Sequence, residues 1–194
     1  ERDKGSSKTF NKGIKMASGT LIGLINADDE LLPETSEILK NECKKIDVDI
    51  YYGNCYWVDS ERNLEYVFKP KHDLSKLLYN MVLIHPSTFV KKKAYEECGL
   101  FDVTYKYCMD KELLYRMYKA GKKFDYIDRC LTKFKAGGVS DTHSKAVFKE
   151  GSRMALSYGE PQIKVKSIEI IKTVRNQMVN MIKGTRVYRV LKGI

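Results

Sequence analysis

The chain has 194 residues, a formal net charge of +10 at pH 7 and 43% hydrophobic residues, which suits one globular domain, or one domain with an appendage. It contains no apolar run as long as a transmembrane helix and no visible signal peptide pattern. Five cysteines without CxxC spacing argue against a zinc site or a disulfide framework and favour reduced thiols in a cytoplasmic protein.

The first predicted elements are a helix over 7–17, which Gly19 ends, and a strand over 20–26. The nearly continuous apolar run in this strand is typical of a strand that is buried on both faces of a parallel or mixed sheet. Polar and acidic side chains follow at its carboxyl end, where open α/β sheets bind ligands. They are Asn26, Asp28, Asp29 and Glu30.

Clustered carboxylates and an amide offer only oxygen ligands, which select a hard cation such as Mg²⁺ or Mn²⁺ that is usually shared with substrate phosphates. The alternative is a polar strand-to-helix turn, in which Asp29 or Glu30 caps the helix that begins near Pro33. The residues of this segment alone leave both interpretations open.

The rest of the chain alternates between helices and strands, which predicts the α/β class. Helices are predicted over 33–45, 73–79, 91–98 and 110–120, and strands over 49–59, 65–69, 85–90 and 124–134. A turn over 60–63 joins the strands 49–59 and 65–69 into a hairpin.

Three further side chains are candidates for chemistry. Asp110 lies at a predicted helix N-terminus, where the dipole favours the ionised carboxylate that a general base needs, although a simple N-cap is the alternative. His85 begins a predicted strand and could donate to a phosphate or an acceptor sugar, or be packed and hydrogen-bonded. His143 follows a Gly-Gly loop that could close over a site and complete a metal shell; an exposed loop histidine is the alternative.

The last segment of the chain is strongly basic. Residues 161–194 contain eight Lys or Arg residues and one acid, Glu169, with Ile171, Val174 and Met178 close to helical spacing. This pattern predicts an amphipathic helix that binds an anionic membrane surface or docks a partner; a terminal helix with a solvated basic face is the alternative. Nucleic acid is not expected as a partner, because no groove-reading motif or aromatic array accompanies the charge.

Taken in order, the motifs resemble those of family 2 glycosyltransferases with the GT-A fold, and are closest to bacterial enzymes that build surface polysaccharides. The segments that carry the resemblance are Asn11–Gly19, Leu24–Asp29 with Pro33, His85–Val90, Gly99–Asp102, Met109–Arg116 and Phe134–Ser140. The resemblance implies an α/β, GT-A-like mixed sheet flanked by helices, with a donor and metal part over 1–60 and an acceptor part over 61–145. A basic helical extension would occupy 146–194. The two βα units that open the family's fold and bind the nucleoside base, roughly 60 residues, are expected to be missing upstream, so this piece alone could be inactive.

The resemblance also assigns roles. Asn26-Ala-Asp28 occupies the DxD position, so Asp28 would be the main ligand of Mg²⁺ or Mn²⁺ on the donor diphosphate, with Asp29 in support. Asn26 departs from the family's Asp and brings no charge. Asp110 takes the place of the catalytic base. The remaining assignments are Asp3, Asn11 and Lys12 near the nucleotide, His85 and Asp102 on the acceptor side, and His143 as a further metal ligand.

These roles together predict a metal-dependent, inverting glycosyltransferase. It would move a sugar from a nucleotide-diphosphate donor to a polysaccharide or lipid-linked acceptor, in the cytoplasm or at the inner face of the plasma membrane, and it could be oligomeric. Two alternatives stay open: a non-catalytic binding module or inactive fragment, and another Mg²⁺-dependent α/β domain for phosphoryl transfer. The sequence has no GxxxxGK[ST] loop, which argues against a phosphoryl-transfer domain of the P-loop type.

Overall fold

The structure, a computed structural model, describes residues 5–59, 63–137 and 143–182. Six strands lie in these ranges: β1 (Leu21–Gly23), β2 (Glu30–Leu31), β3 (Ile50–Asp59), β4 (Leu64–Phe68), β5 (Thr88–Lys91) and β6 (Phe124–Lys135). The α-helices of the same ranges are α1 (Ser6–Met16), α2 (Thr35–Glu42), α3 (Lys92–Cys98), α4 (Met109–Lys119), α5 (Ser144–Ser157) and α6 (Gln162–Ile182). Two short 3₁₀ helices, Leu74–Leu78 and His85–Ser87, complete the described secondary structure.

The strands form one mixed sheet in the order β1–β5–β3–β6–β2, and β4 pairs with the second half of β3. β3 and β6 are parallel, whereas the other pairs are antiparallel. The register between β3 and β6 shifts at Gly53–Asn54 and again at Asn54–Cys55. Gly53 is required there, because a Cβ atom at this position would lie 2.6 Å from Cδ1 of Leu131.

Hydrophobic side chains cover both faces of the sheet, because successive residues of a strand point to opposite sides. Ile50 and Tyr52 of β3 belong to the larger cluster, together with Leu113 and Met117 of α4. Tyr51, between them, belongs to a second cluster on the other face, where side chains of α2 pack. α4 therefore packs into the core on the face of the sheet that carries Ile50 and Tyr52.

The predicted helices and strands of the first 135 residues are largely confirmed, with four differences. The predicted strand 20–26 shortens to three residues, and the predicted strand 85–90 begins as a 3₁₀ turn before β5. Pro86 explains the second difference, because it has no N–H to donate to a sheet ladder. The predicted helix over 73–79 is a 3₁₀ turn, and the two-residue strand β2 was not predicted.

The carboxyl-terminal part is helical, as predicted, through α5 and α6. Residues 183–194, which carry four of the tail's basic residues, lie outside the described residues. In the ranges that the structure describes, no helix has both the length and the apolar character needed to cross a bilayer.

Candidate active site

The acidic loop between β1 and β2 is held in place through Asp29. Its backbone N–H donates to the carbonyl of Asn26 at 3.1 Å, and its Oδ2 accepts a hydrogen bond from Nδ2 of Asn26 at 2.9 Å. Its Oδ1 accepts the backbone N–H of Lys135, at the end of β6, at 3.2 Å. Asp29 is only 8% exposed, and burial raises its pKa above the usual range, an effect that these two hydrogen bonds partly offset. Asp29 therefore anchors the loop to the sheet.

Asp28 differs from its neighbour in being exposed, and it makes no hydrogen bond or ion pair with the described part of the chain. The loop thus presents one carboxylate outward and uses the next one for structure. The Asn26 side chain, which replaces the family's first Asp, orients Asp29. Whether Asn26 and Asp29 also contact a donor or a metal remains a prediction.

His85 and Asp110 line one small cavity, together with Leu24, the residue that follows β1. The His85 ring packs against Phe10, with ring centroids 5.6 Å apart, and against Phe101 at 6.3 Å. Loss of hydration lowers the pKa of His85, and the carboxylates of Asp110 and Asp29 oppose this shift. The imidazole is therefore neutral near pH 7 and can both donate and accept a hydrogen bond.

Asp110 is the second residue of α4, as the sequence predicted, and its Oδ1 accepts the backbone N–H of Lys111 at 2.7 Å. The loop that leads into this helix is held by Glu150 of α5. The Glu150 carboxylate accepts the backbone N–H groups of Lys106, Tyr107 and Cys108 at 2.8, 2.5 and 2.6 Å. Sequence reasoning missed Glu150, since the contact joins residues more than 40 positions apart and no local pattern marks it.

The Gly99–Asp102 loop is clamped from two sides. The side-chain amide of Asn11 donates to the Phe101 carbonyl at 2.8 Å and accepts its N–H at 2.9 Å. From α4, Arg116 donates to the carbonyls of Cys98 and Leu100 and pairs with the buried Glu112. These contacts hold Phe101 against His85. The Asn11 side chain is thereby used for structure, and its predicted role near the nucleotide is untested.

The other predicted residues lie in different surroundings. Asp102 accepts the N–H of Thr104 at 2.8 Å and shapes the turn before α4, and Lys12 is exposed on α1. His143 stacks on Tyr107 at 5.6 Å. Asp3 lies outside the described residues. Across the described ranges, no three His, Cys, Asp or Glu side chains are grouped so that they could hold a metal ion, and the role of His143 as a metal ligand stays a prediction.

The profile described as glycosyl transferase family 2 matches residues 1–99, just over half of the 194 residues. The chain belongs to this family, which confirms the predicted resemblance.

A curated protein and solved structures are also similar to this chain. An uncharacterized glycosyltransferase of Methanocaldococcus jannaschii, MJ1057, is 28% identical over 141 residues, which cover 70% of this chain and 48% of that protein. The crystal structure of S. aureus TarS 1-349 matches with a TM-score of 0.54 at 13% identity, covering 96% of this chain and 54% of that one. TarS 1-349 in complex with UDP-GlcNAc matches with a TM-score of 0.54 at 13% identity, covering 95% of this chain and 55% of that one.

At these identities the likeness to TarS shows the fold alone, and it confirms the predicted mixed α/β fold of the GT-A type. The chain spans about half the length of the relatives that it matches. The activity, substrates and partners of the whole protein are therefore matters for proposal.

Proposed function

We propose that the full-length protein transfers a sugar from a nucleotide-diphosphate donor to a hydroxyl group of a glycan or lipid-linked acceptor, with inversion at the anomeric carbon. The observation that carries this proposal is that His85 and Asp110 line one small cavity in a family 2 chain, while the Asp29 carboxylate of the acidic loop is near enough to favour the protonated form of His85. Two of the similar structures are complexes with UDP and with UDP-GlcNAc, which supports a uridine nucleotide sugar as the donor class.

A divalent cation belongs to this proposal, and the residues present fit one that is shared with the donor. Mg²⁺ is usually bound by one or two carboxylates, substrate phosphates and water rather than by a cage of protein ligands. Asp28 offers such a carboxylate, because it is exposed and unengaged by the described residues. Asp28 would hold Mg²⁺ or Mn²⁺ with Asp29 in support, and the ion would supply neutralisation of the leaving diphosphate.

Asp110 acts as the general base in this proposal. Its carboxylate takes the proton from the acceptor hydroxyl while the hydroxyl oxygen forms a bond to the anomeric carbon. The bond from that carbon to the diphosphate oxygen breaks on the opposite side, so the configuration inverts, as it does when a single carboxylate serves as base in inverting glycosidases. The neutral His85 ring lines the same cavity as Asp110. There it can hydrogen-bond an acceptor hydroxyl without forming an ion pair with the Asp110 carboxylate.

Donor binding tests the proposal directly. In calorimetry, UDP should bind the full-length protein in the presence of Mn²⁺, and Asp28→Ala should abolish or greatly weaken this binding. Glu30→Ala, which removes an exposed carboxylate two residues away, is the matched control and should bind normally. If neither UDP nor GDP nor dTDP binds with Mn²⁺, the alternative of a non-catalytic module is the correct one.

We also infer that α6 brings the enzyme to an anionic membrane surface. Its buried side, marked by Val165 at 3% exposure, packs on the domain. The side pointing away from the domain is apolar and exposed, with Ile163, Ile170, Ile171, Val174, Met178 and Met181 between 45% and 83% accessible. At 3.6 residues per turn these side chains form one stripe, flanked by Lys164, Lys166 and Arg175.

An apolar stripe between cations is the pattern of a helix that lies in a bilayer interface, where lipid-linked acceptors are found. The full-length protein should co-sediment with vesicles of anionic phosphatidylglycerol and not with vesicles of phosphatidylcholine. Replacing Ile171 and Met178 by Gln should reduce this binding, whereas replacing the neighbouring Gln177 by Ala should not. Equal binding to both kinds of vesicle, or none to either, would contradict the inference.

A further inference from the structure

Four aromatic side chains lie together where β3 runs between β4 and β6: Trp57 of β3, Tyr66 and Phe68 of β4, and Phe134 of β6. The Trp57 ring is 4.7 Å from that of Phe134, 5.6 Å from that of Phe68 and 6.4 Å from that of Tyr66, centroid to centroid. In the strand registers Trp57 pairs with both Tyr66 and Phe134, so these side chains share one face of the sheet. We call these four residues the aromatic platform.

The platform is not part of the hydrophobic core. Within the described residues, neither of the two buried clusters includes any of its four rings. Phe68 is 37% exposed, and Trp57, Tyr66 and Phe134 are partly exposed. Aromatic side chains gain more than most residues from burial. Four of them gathered at a partly open sheet surface are therefore typical of a surface that a ligand covers.

The platform is continuous with the acidic loop. Phe134 directly precedes Lys135, whose backbone N–H binds the Asp29 carboxylate. The strand pairing gives a second connection, because Glu30 of the acidic loop pairs with Lys133, the residue before Phe134.

We propose that the aromatic platform binds the acceptor glycan, as a chain of neutral pyranose rings. One face of a pyranose presents several C–H bonds with partial positive charge, and these match the negative faces of aromatic rings. Polar groups of the sugar then point sideways to solvent and to the strand ends. The platform thus defines a sugar-binding surface beside the acidic loop, and its place in the reaction rests on the proposed transferase function.

Trp57 is the only tryptophan of these 194 residues, and replacing any tryptophan outside them by Phe makes the emission of the full-length protein report on the platform without a label. The full-length protein should be titrated separately with cellohexaose, laminarihexaose and chitohexaose. We expect a saturable change in Trp57 emission with at least one of these oligosaccharides. Phe68→Ala should weaken that binding roughly 3- to 10-fold, the loss expected for one aromatic contact.

Val67→Ala is the matched control. Val67 is the neighbour of Phe68 on β4, points to the opposite face and is 46% exposed, so its truncation should leave sugar binding unchanged. Both positions lie near the surface, and equal melting temperatures of the two variants would show that neither change unfolds the protein.

Three results would overturn the proposal. The first is no saturable change in emission with any of the three oligosaccharides, and the second is equal weakening by Phe68→Ala and Val67→Ala. The third is a response of Trp57 to UDP alone that Phe68→Ala abolishes, which would make the platform a base-stacking surface for the donor. Calorimetry of UDP with Mn²⁺ separates the platform proposal from the proposed transferase function. If UDP binds and the oligosaccharides do not, only the platform proposal is refuted. If an oligosaccharide binds and UDP does not, only the proposed donor binding is refuted.

Discussion

Removing the Glu150 carboxylate should loosen the segment that carries Asp110. This carboxylate accepts three backbone N–H groups immediately before α4, and hydrogen bonds to a charged acceptor contribute about 1.5–3 kcal/mol each. The three contributions are not independent, and Lys106 is exposed, so we expect Glu150→Ala to lower the free energy of unfolding by about 2–4 kcal/mol. For a domain of this size the melting temperature should fall by roughly 5–15 °C.

The assay combines urea denaturation with donor turnover. Lys149→Ala removes an exposed neighbour on the same helix and should change stability by less than about 0.5 kcal/mol. Turnover of Glu150→Ala should fall with little change in the donor KM, because the acceptor-side base is displaced while the acidic loop is untouched. Formate should restore part of the melting temperature of Glu150→Ala, and it should leave the wild-type protein unaffected. A Glu150→Ala variant as stable and active as Lys149→Ala would refute this reasoning.

Three further predictions concern the Asn26 amide, the Asp110 carboxylate and the half-buried Lys172. Asn26→Asp should keep or raise Mn²⁺ affinity in calorimetry, and a loss of affinity would show that the Asn26–Asp29 contact matters more than charge. Asp110→Asn should lower turnover by about 10²–10⁴-fold with donor binding preserved; weak donor binding at normal turnover would reverse its role. Burial, with the nearby Lys111, lowers the pKa of Lys172 to about 8. The unfolded side chain keeps its proton up to about pH 10.4, so between about pH 8 and pH 10.4 the unfolded chain binds more protons than the folded protein. The free energy of unfolding should therefore rise with pH over this interval. Urea denaturation midpoints should show that Lys172→Met removes this pH dependence.

Local patterns carried the parts of the fold and site that the sequence could predict. The apolar run before Asn26 identified β1, and the Met109–Arg116 segment placed Asp110 at a helix N-terminus, as observed. The predicted helix ends at 98 and 120 lie next to Gly99 and Gly121, which follow α3 and α4 at positive φ. These signals depend only on residues within a turn or two of each other.

The parts that could not be predicted depend on contacts between distant residues. The Asp29 carboxylate binds the N–H of Lys135 across 106 positions, and Asn11 binds Phe101 across 90. Nothing near Asn11 in the sequence shows that its amide is engaged with a loop rather than a ligand. The aromatic platform likewise required the pairing of β3 with both β4 and β6, which sets four separated rings side by side.

The structure also refines the interpretation of the basic tail. The sequence left open whether 161–194 forms a membrane-binding helix or a helix packed on the domain. In α6, Val165 is buried in the larger cluster, while Met181 is 82% exposed. The helix therefore packs on the domain and still presents an apolar stripe outward, so packing on the domain does not by itself argue against the membrane interpretation.

We propose that Asp28 and Asp110 together carry out inverting transfer from a nucleotide sugar, and the configuration of the product tests this assignment most directly. The full-length protein should be incubated with Mn²⁺, α-linked UDP-GlcNAc or UDP-glucose and the oligosaccharide that Trp57 fluorescence selects, and the new linkage followed by proton NMR. We predict a β-linked product, formed by the wild-type protein and lost in Asp28→Ala and Asp110→Asn. An α-linked product, or undiminished turnover by Asp110→Asn, would contradict the claim.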